Sequence, residues 1–137
     1  MRLTSLADYA VVVMSAAARS GDGSRLSASN IAGKTGVPLP TAQKLMGRLA
    51  QAGLLASVRG QGGGFVLARP AEEISLADII EAVDGPIAMT ACVDQKRHDC
   101  GLEKACQVRS HWPAVNGAIR GALAGVSLKS LAQGVAA

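Results

Sequence analysis

Apolar residues recur along this chain at two different periods, and the changes of period mark out its elements. Positions 5–19 carry apolar side chains on nearly every side (Leu6, Tyr9, Val13, Ala16, Ala17), which predicts a buried first helix, covered in part by a second subunit. Gly21-Asp22-Gly23-Ser24 is a turn. Ser27 is a good N-cap for a short second helix, because its hydroxyl can accept from the free amides of the first turn. Leu26 and Ile31 flank that start at hydrophobic-staple spacing, and the helix ends near Gly36. Val37-Pro38-Leu39-Pro40 cannot continue a helix, since proline lacks the amide hydrogen. A third helix begins close to Pro40 and runs to about Ala52, with Ala42, Leu45, Met46 and Leu49 as one apolar stripe.

Beyond Gly53 the period changes. Residues 54–59 read as a strand, Gly60-Gln61-Gly62-Gly63-Gly64 as a turn of unusual backbone freedom, and residues 65–67 as the returning strand. Ser75 with Asp78 opens a fourth helix whose Leu76, Ile79, Ile80 and Val83 share one face, and Asp84-Gly85-Pro86 stops it. A last long stripe runs from Trp112 through Val115, Ile119 and Leu123 to Val126, spaced as a two-helix dimer interface. Ser127 caps a short final turn, with a frayed tail after Gln133. The expected fold is mainly α: a winged helix-turn-helix with a small β-hairpin wing and a long C-terminal dimerisation helix. Three parts follow: residues 1–85 as the DNA-binding domain, 86–111 as a cysteine-bearing loop, and 112–137 as dimerisation helix and tail.

Composition sharpens this picture. The chain has 137 residues, 49% of them hydrophobic, yet its only aromatic residues are Tyr9, Phe65 and Trp112. Such a core is built from Ala, Leu, Ile and Val, and so small a domain gains stability by pairing. The net charge of +4 is unevenly spread. Residues 1–70 hold eight basic side chains against two acidic ones, whereas residues 71–137 hold six against eight. The basic half is the one that would face a polyanion, although a merely solvated surface has the same charge. The apolar run 9–18 is too short to cross a bilayer, and no secretory signal is evident, so a cytoplasmic protein without a membrane partner is expected.

The outer side of the third helix carries Thr41, Gln43, Lys44 and Arg48, with Gln51 beyond them. Such a face can enter the major groove, where Gln reads adenine edges and Lys or Arg reads guanine or holds phosphate. An ordinary solvated helix would look similar, but the hairpin directly after it sits where a wing lies. Arg59 stands at its shoulder and Gln61 at its tip, both positioned to meet a phosphate backbone or narrow minor groove. A nucleotide-phosphate loop is excluded, because no Lys-Ser/Thr pair follows the glycines and they do not lead into a helix. No nucleophile–base pair or paired carboxylates argue for an enzyme.

Cys92, Cys100 and Cys106 lie in or beside a strongly polar stretch, which is unusual for residues that normally behave as small buried hydrophobes. Their spacing lacks the C-x2-C knuckle of common structural zinc sites. Iron–sulfur loops use thiolates at looser spacing, and Lys96, Arg97, Lys104 and Arg109 would favour thiolates and offset a cluster's negative charge. A thiol redox switch, a zinc site and a purely structural role remain open on chemistry alone. Three thiolates leave a fourth ligand position to Asp8, His98, His111 or Glu103. Asp8, in the first helix, would come from the other subunit.

The start Met1-Arg2-Leu3-Thr4-Ser5, the stretch 54–67 with Ser57-Val58-Arg59-Gly60-Gln61-Gly62-Gly63-Gly64, the helix at 74–83, and the cysteine triplet followed by Trp112 together resemble the Rrf2 family of bacterial regulators. The resemblance covers about residues 1–133 and is strongest to the branch regulating SUF-type iron–sulfur assembly operons. It implies a homodimer on a pseudo-palindromic double-stranded operator. It also implies a [2Fe–2S] or [4Fe–4S] cluster on Cys92, Cys100 and Cys106, and DNA contacts around Thr41, Gln43, Lys44 and Arg59. Seven residues separate the first two cysteines, where five separate them in better-known members, and Arg109 stands where such members carry a histidine ligand. Asp8 matches the carboxylate ligand of another branch and is preferred here to His111. Gln43 replaces a family glutamate, which removes a charge from the DNA face. A repressor sensing redox state or nitric oxide through thiols or zinc is the alternative.

Overall fold

The computed structural model describes residues 2–21, 23–60, 63–88 and 111–134. Within them the chain is mainly helical with one two-stranded hairpin, the winged helix-turn-helix arrangement read from its pattern. The first helix, α1 (Ser5–Arg19), is capped by Thr4, whose hydroxyl accepts from the Ala7 amide at 3.1 Å. It is the central element: Ala7, Ala10, Val13, Met14, Ala16 and Ala17 are all buried, and α1 packs against the four other helices of the body.

Helix α2 (Ala28–Thr35) opens with a capping box in which Ser27 and Asn30 exchange bonds, so an asparagine does what glutamate usually does. Gly36 ends it at φ +80°, the left-handed conformation that glycine adopts without steric cost. Three residues later α3 (Leu39–Gln51) begins, with proline in its first turn and no side-chain cap. Its Ala42, Leu45, Met46 and Leu49 are buried, as their spacing predicts.

The hairpin pairs β1 (Leu55–Val58) with β2 (Gly64–Leu67), in a register that sets Leu55 opposite Leu67 and Val58 opposite Gly64. A contact not visible in the sequence adds a third edge. Leu26 and Phe65 exchange both backbone hydrogen bonds, at 2.8 and 2.9 Å, and tie the hairpin to the α1–α2 connection. A 3-10 turn at Ala71–Glu73 leads into α4 (Leu76–Asp84), capped reciprocally by Ser75 and Asp78. Partial burial works to raise the Asp78 pKa, but the Ser75 amide and hydroxyl and the Arg69 guanidinium at 3.2 Å outweigh it and hold the carboxyl below its ordinary value.

The C-terminal portion divides in two. Helix α5 (Trp112–Ala124) has no buried residue. After it comes a separate helix, α6 (Leu128–Gln133), which belongs to the body instead of trailing from it. Leu128 is fully buried in the main core, and Ser127 bridges to Ser75 through bonds from Leu76 N–H to Val126 C=O (2.8 Å) and from Leu128 N–H to Ile74 C=O (2.7 Å). The final turn expected at Ser127 is thus a structural clasp. No helix among the described residues is long and apolar enough to cross a membrane.

Candidate functional site

Helix α3 divides cleanly into two sides. Leu45, Met46 and Leu49 lie against α1 and α4, while Gln43 and Lys44 are exposed and Thr41 is half-buried. Gln43 and Lys44 have no partner among the described residues, so their donors are free for an incoming ligand. Arg59, just past β1, is likewise exposed, beside Gly60 at φ +106°. The Gly63 amide donates to the Gly60 carbonyl at 2.9 Å. Gln61, the predicted tip residue, lies outside the described residues. The helix face and the wing are consecutive in the chain and joined by direct packing of α3 on β1.

Arg48 is placed differently from its neighbours on the predicted DNA face. It is half-buried, and its Nη1 donates to the Val83 carbonyl at 3.2 Å. That carbonyl belongs to the last turn of α4, where the backbone acceptors lack helical partners and a cation is favoured by the helix dipole. The guanidinium therefore joins α3 to α4.

Cys92, Cys100 and Cys106 lie outside the described residues, as do His98 and Glu103. Of the remaining ligand candidates, Asp8 is an exposed carboxylate in the first turn of α1, and His111 is exposed at the start of α5. Neither has a partner among the described residues. The Thr4 hydroxyl donates to both Asp84 carboxylate oxygens, at 2.8 and 3.0 Å. This fastens the turn that carries Asp8 to the end of α4, where the chain departs toward the cysteine stretch. The donor set of three thiols and a free carboxylate fits a thiolate-held cluster with one weaker ligand.

Sequence reasoning missed a polar network at the same end of α4. The Glu81 carboxylate accepts from Arg120 of α5 at 2.7 Å and from the Ile87 amide at 2.9 Å, while the Asn116 amide donates to the Ile87 carbonyl at 2.8 Å. The Arg120 hydrogen bond holds the Glu81 carboxyl below its usual range; partial burial opposes this, and the Ile87 amide reinforces it. The network joins groups 39 residues apart, so no local pattern announces it. The one hint was a charged residue, Arg120, interrupting the small and apolar sequence of α5.

A family model described as "Iron-dependent Transcriptional regulator" matches residues 3–134. The chain is 36% identical to the HTH-type transcriptional regulator IscR of Photorhabdus laumondii, across 96% of this chain and 79% of that one. It is 32% identical to IscR of Escherichia coli O1:K1, across 96% and 80% of the two chains. Among solved structures, CymR, the global cysteine regulator of B. subtilis, superimposes with a TM-score of 0.75 at 25% identity over 98% of both chains. The IscR of T. potens gives 0.70 at 26% identity, over 97% of this chain and 87% of that one.

Proposed function

The chain belongs to the Rrf2 family of transcriptional regulators, and on that premise we propose that it is a homodimeric transcription regulator whose operator affinity is set by an iron–sulfur cluster on Cys92, Cys100 and Cys106, with iron–sulfur assembly genes as targets. It is a DNA-binding transcription regulator of the winged-helix type, and its relatives are regulators, not enzymes. The observation that carries the DNA reading is the unpartnered donor face of α3 beside the Arg59 shoulder of the wing. Thr41, Gln43 and Lys44 would reach base edges and phosphates in the major groove, with Arg59 and Gln61 against the backbone alongside.

The dimer is supported by α5. Trp112, Val115, Ile119 and Leu123 recur along one helix, yet none is buried within a single chain, and Val115 is 40% exposed. Pairing two such stripes removes them from water, and two-fold symmetry matches a pseudo-palindromic operator. Replacing Arg59 with alanine should weaken operator binding and reduce by about one the slope of log affinity against log salt concentration, as expected for a lost phosphate contact. An unchanged slope would remove Arg59 from the interface.

The cluster assignment rests on the thiol triplet with its basic surroundings, the free Asp8 carboxylate, and the iron-dependent description of the matching family model. When bound, such a group supplies a charge and ligand set that respond to iron supply and oxidation. Protein purified without oxygen should contain iron and acid-labile sulfide and show visible charge-transfer absorption. Asp8→Ala should make that absorption labile. A second reading draws on the likeness to CymR: the cysteines act as redox-sensing thiols or zinc ligands. Colourless protein that resists reconstitution would select it and leave the DNA reading intact.

A further inference from the structure

We propose that the last turn of α4 is a mechanical relay to the recognition helix, in which Glu81 and Arg48 are positioning residues and Arg48 reads no DNA. The proposal rests on the reading that α3 binds DNA and that the stretch after α4 carries the sensing chemistry. Three separate elements are fastened to that turn and the residues just beyond it. Arg48 of α3 holds the Val83 carbonyl. Thr4, at the head of α1, holds Asp84. Arg120 of α5 grips the Glu81 carboxylate through both Nε and Nη2. The other Glu81 oxygen binds the Ile87 amide, whose carbonyl in turn accepts from Asn116.

The geometry gives the turn two opposite handles. Glu81 couples it to α5 and to the outgoing chain at Ile87, while Arg48 couples it to α3. Between them lies a single helical turn closed by Gly85 N–H onto the Glu81 carbonyl at 3.0 Å. Ile79 is fully buried and Val83 nearly so, so the turn moves as a packed unit instead of fraying. A displacement of Ile87 or of α5 is therefore passed to Val83 and through the guanidinium to α3. Arg48 lies one turn beyond Lys44 on that helix, so the displacement reaches the residues that face the groove.

A double-mutant cycle on the full-length protein tests this, read by fluorescence anisotropy on a duplex selected from a random library by the unsubstituted protein. Arg48→Met keeps the side-chain stem and removes the guanidinium. Arg120→Met releases the Glu81 handle, and Glu81→Gln keeps an acceptor for Ile87 without the charge. In cluster-free protein, each single change should lower affinity, and the double change Arg48→Met with Arg120→Met should depart from additivity by at least about twofold. Arg48→Met should leave the salt slope unchanged. Additive effects, or a slope reduced by about one, would overturn the relay and return Arg48 to the DNA face. In protein that loads iron and sulfide, Glu81→Gln should bring the affinities of loaded and unloaded forms closer together, with the visible spectrum retained. An undiminished difference between those forms would also overturn it. Absence of iron and sulfide from the unsubstituted protein would defeat the cluster reading alone, because the cycle is measured without a cluster.

Discussion

Leu45→Ala will lower the unfolding free energy by about 2–5 kcal/mol. Leu45 is fully buried on the inner side of α3, within the core that also holds Val13 and Met14 of α1 and Ile79 and Val83 of α4. The substitution removes buried methyl groups and leaves a cavity where helices cross, which the backbone can close only in part. A small single domain has roughly 5–15 kcal/mol in total, so much of the margin disappears. The neighbouring exposed residue, Lys44, loses the fixed platform beneath it, and operator affinity should fall with stability. Chemical denaturation at fixed protomer concentration measures the first effect, since dimerisation would otherwise shift the midpoint. A loss under about 1 kcal/mol would show that the inner side of α3 is loosely packed, contrary to the burial described.

Gly64→Val should disable the wing while leaving the helices folded. Strand propensity alone favours valine at this position, but local sterics decide otherwise. A Cβ on Gly64 would lie 2.7 Å from the Leu26 carbonyl oxygen and 2.9 Å from its carbon. Both are backbone atoms, so the hairpin must move away from the α1–α2 connection and lose the paired bonds between Leu26 and Phe65. Overpacking of this kind costs about 1–3 kcal/mol, and displacement of Arg59 should reduce operator affinity by roughly tenfold, or about 1.4 kcal/mol. Helical circular dichroism should change little. Full operator affinity in Gly64→Val would mean that the wing makes no contribution to binding.

Much of this architecture was legible because its signals are local. Ser27 and Ser75 announce helix starts through their own hydroxyls, Gly36 and Gly85 mark ends, and the α3 stripe follows from its period. The wing was legible from glycines flanked by strand residues. What was not legible depends on distant partners. Leu26 gives no sign of pairing with Phe65, and Leu128 reads only as part of a short final turn until Ser75 is seen beside Ser127. Arg48 shares a helix face with Thr41 and Lys44, so periodicity groups the three together, and nothing local announces its bond to the Val83 carbonyl. The thiols could be named from the sequence, but they lie outside the described residues, so their ligand roles rest on chemistry and kinship.

The clasp between Ser75 and Ser127 bears on how such a regulator diversifies. Ser75, just before α4, and Ser127, just after α5, lie side by side, so the chain between them closes on itself, with α4 at its start packed into the core. Lengthening a closed excursion carries only a slowly growing entropic penalty, since each doubling adds about 0.6 kcal/mol. The seven-residue gap between Cys92 and Cys100 could thus arise by insertion without displacing a residue of α3 or the wing. Length can therefore change between the paired ends while α1, α3 and the wing keep their packing.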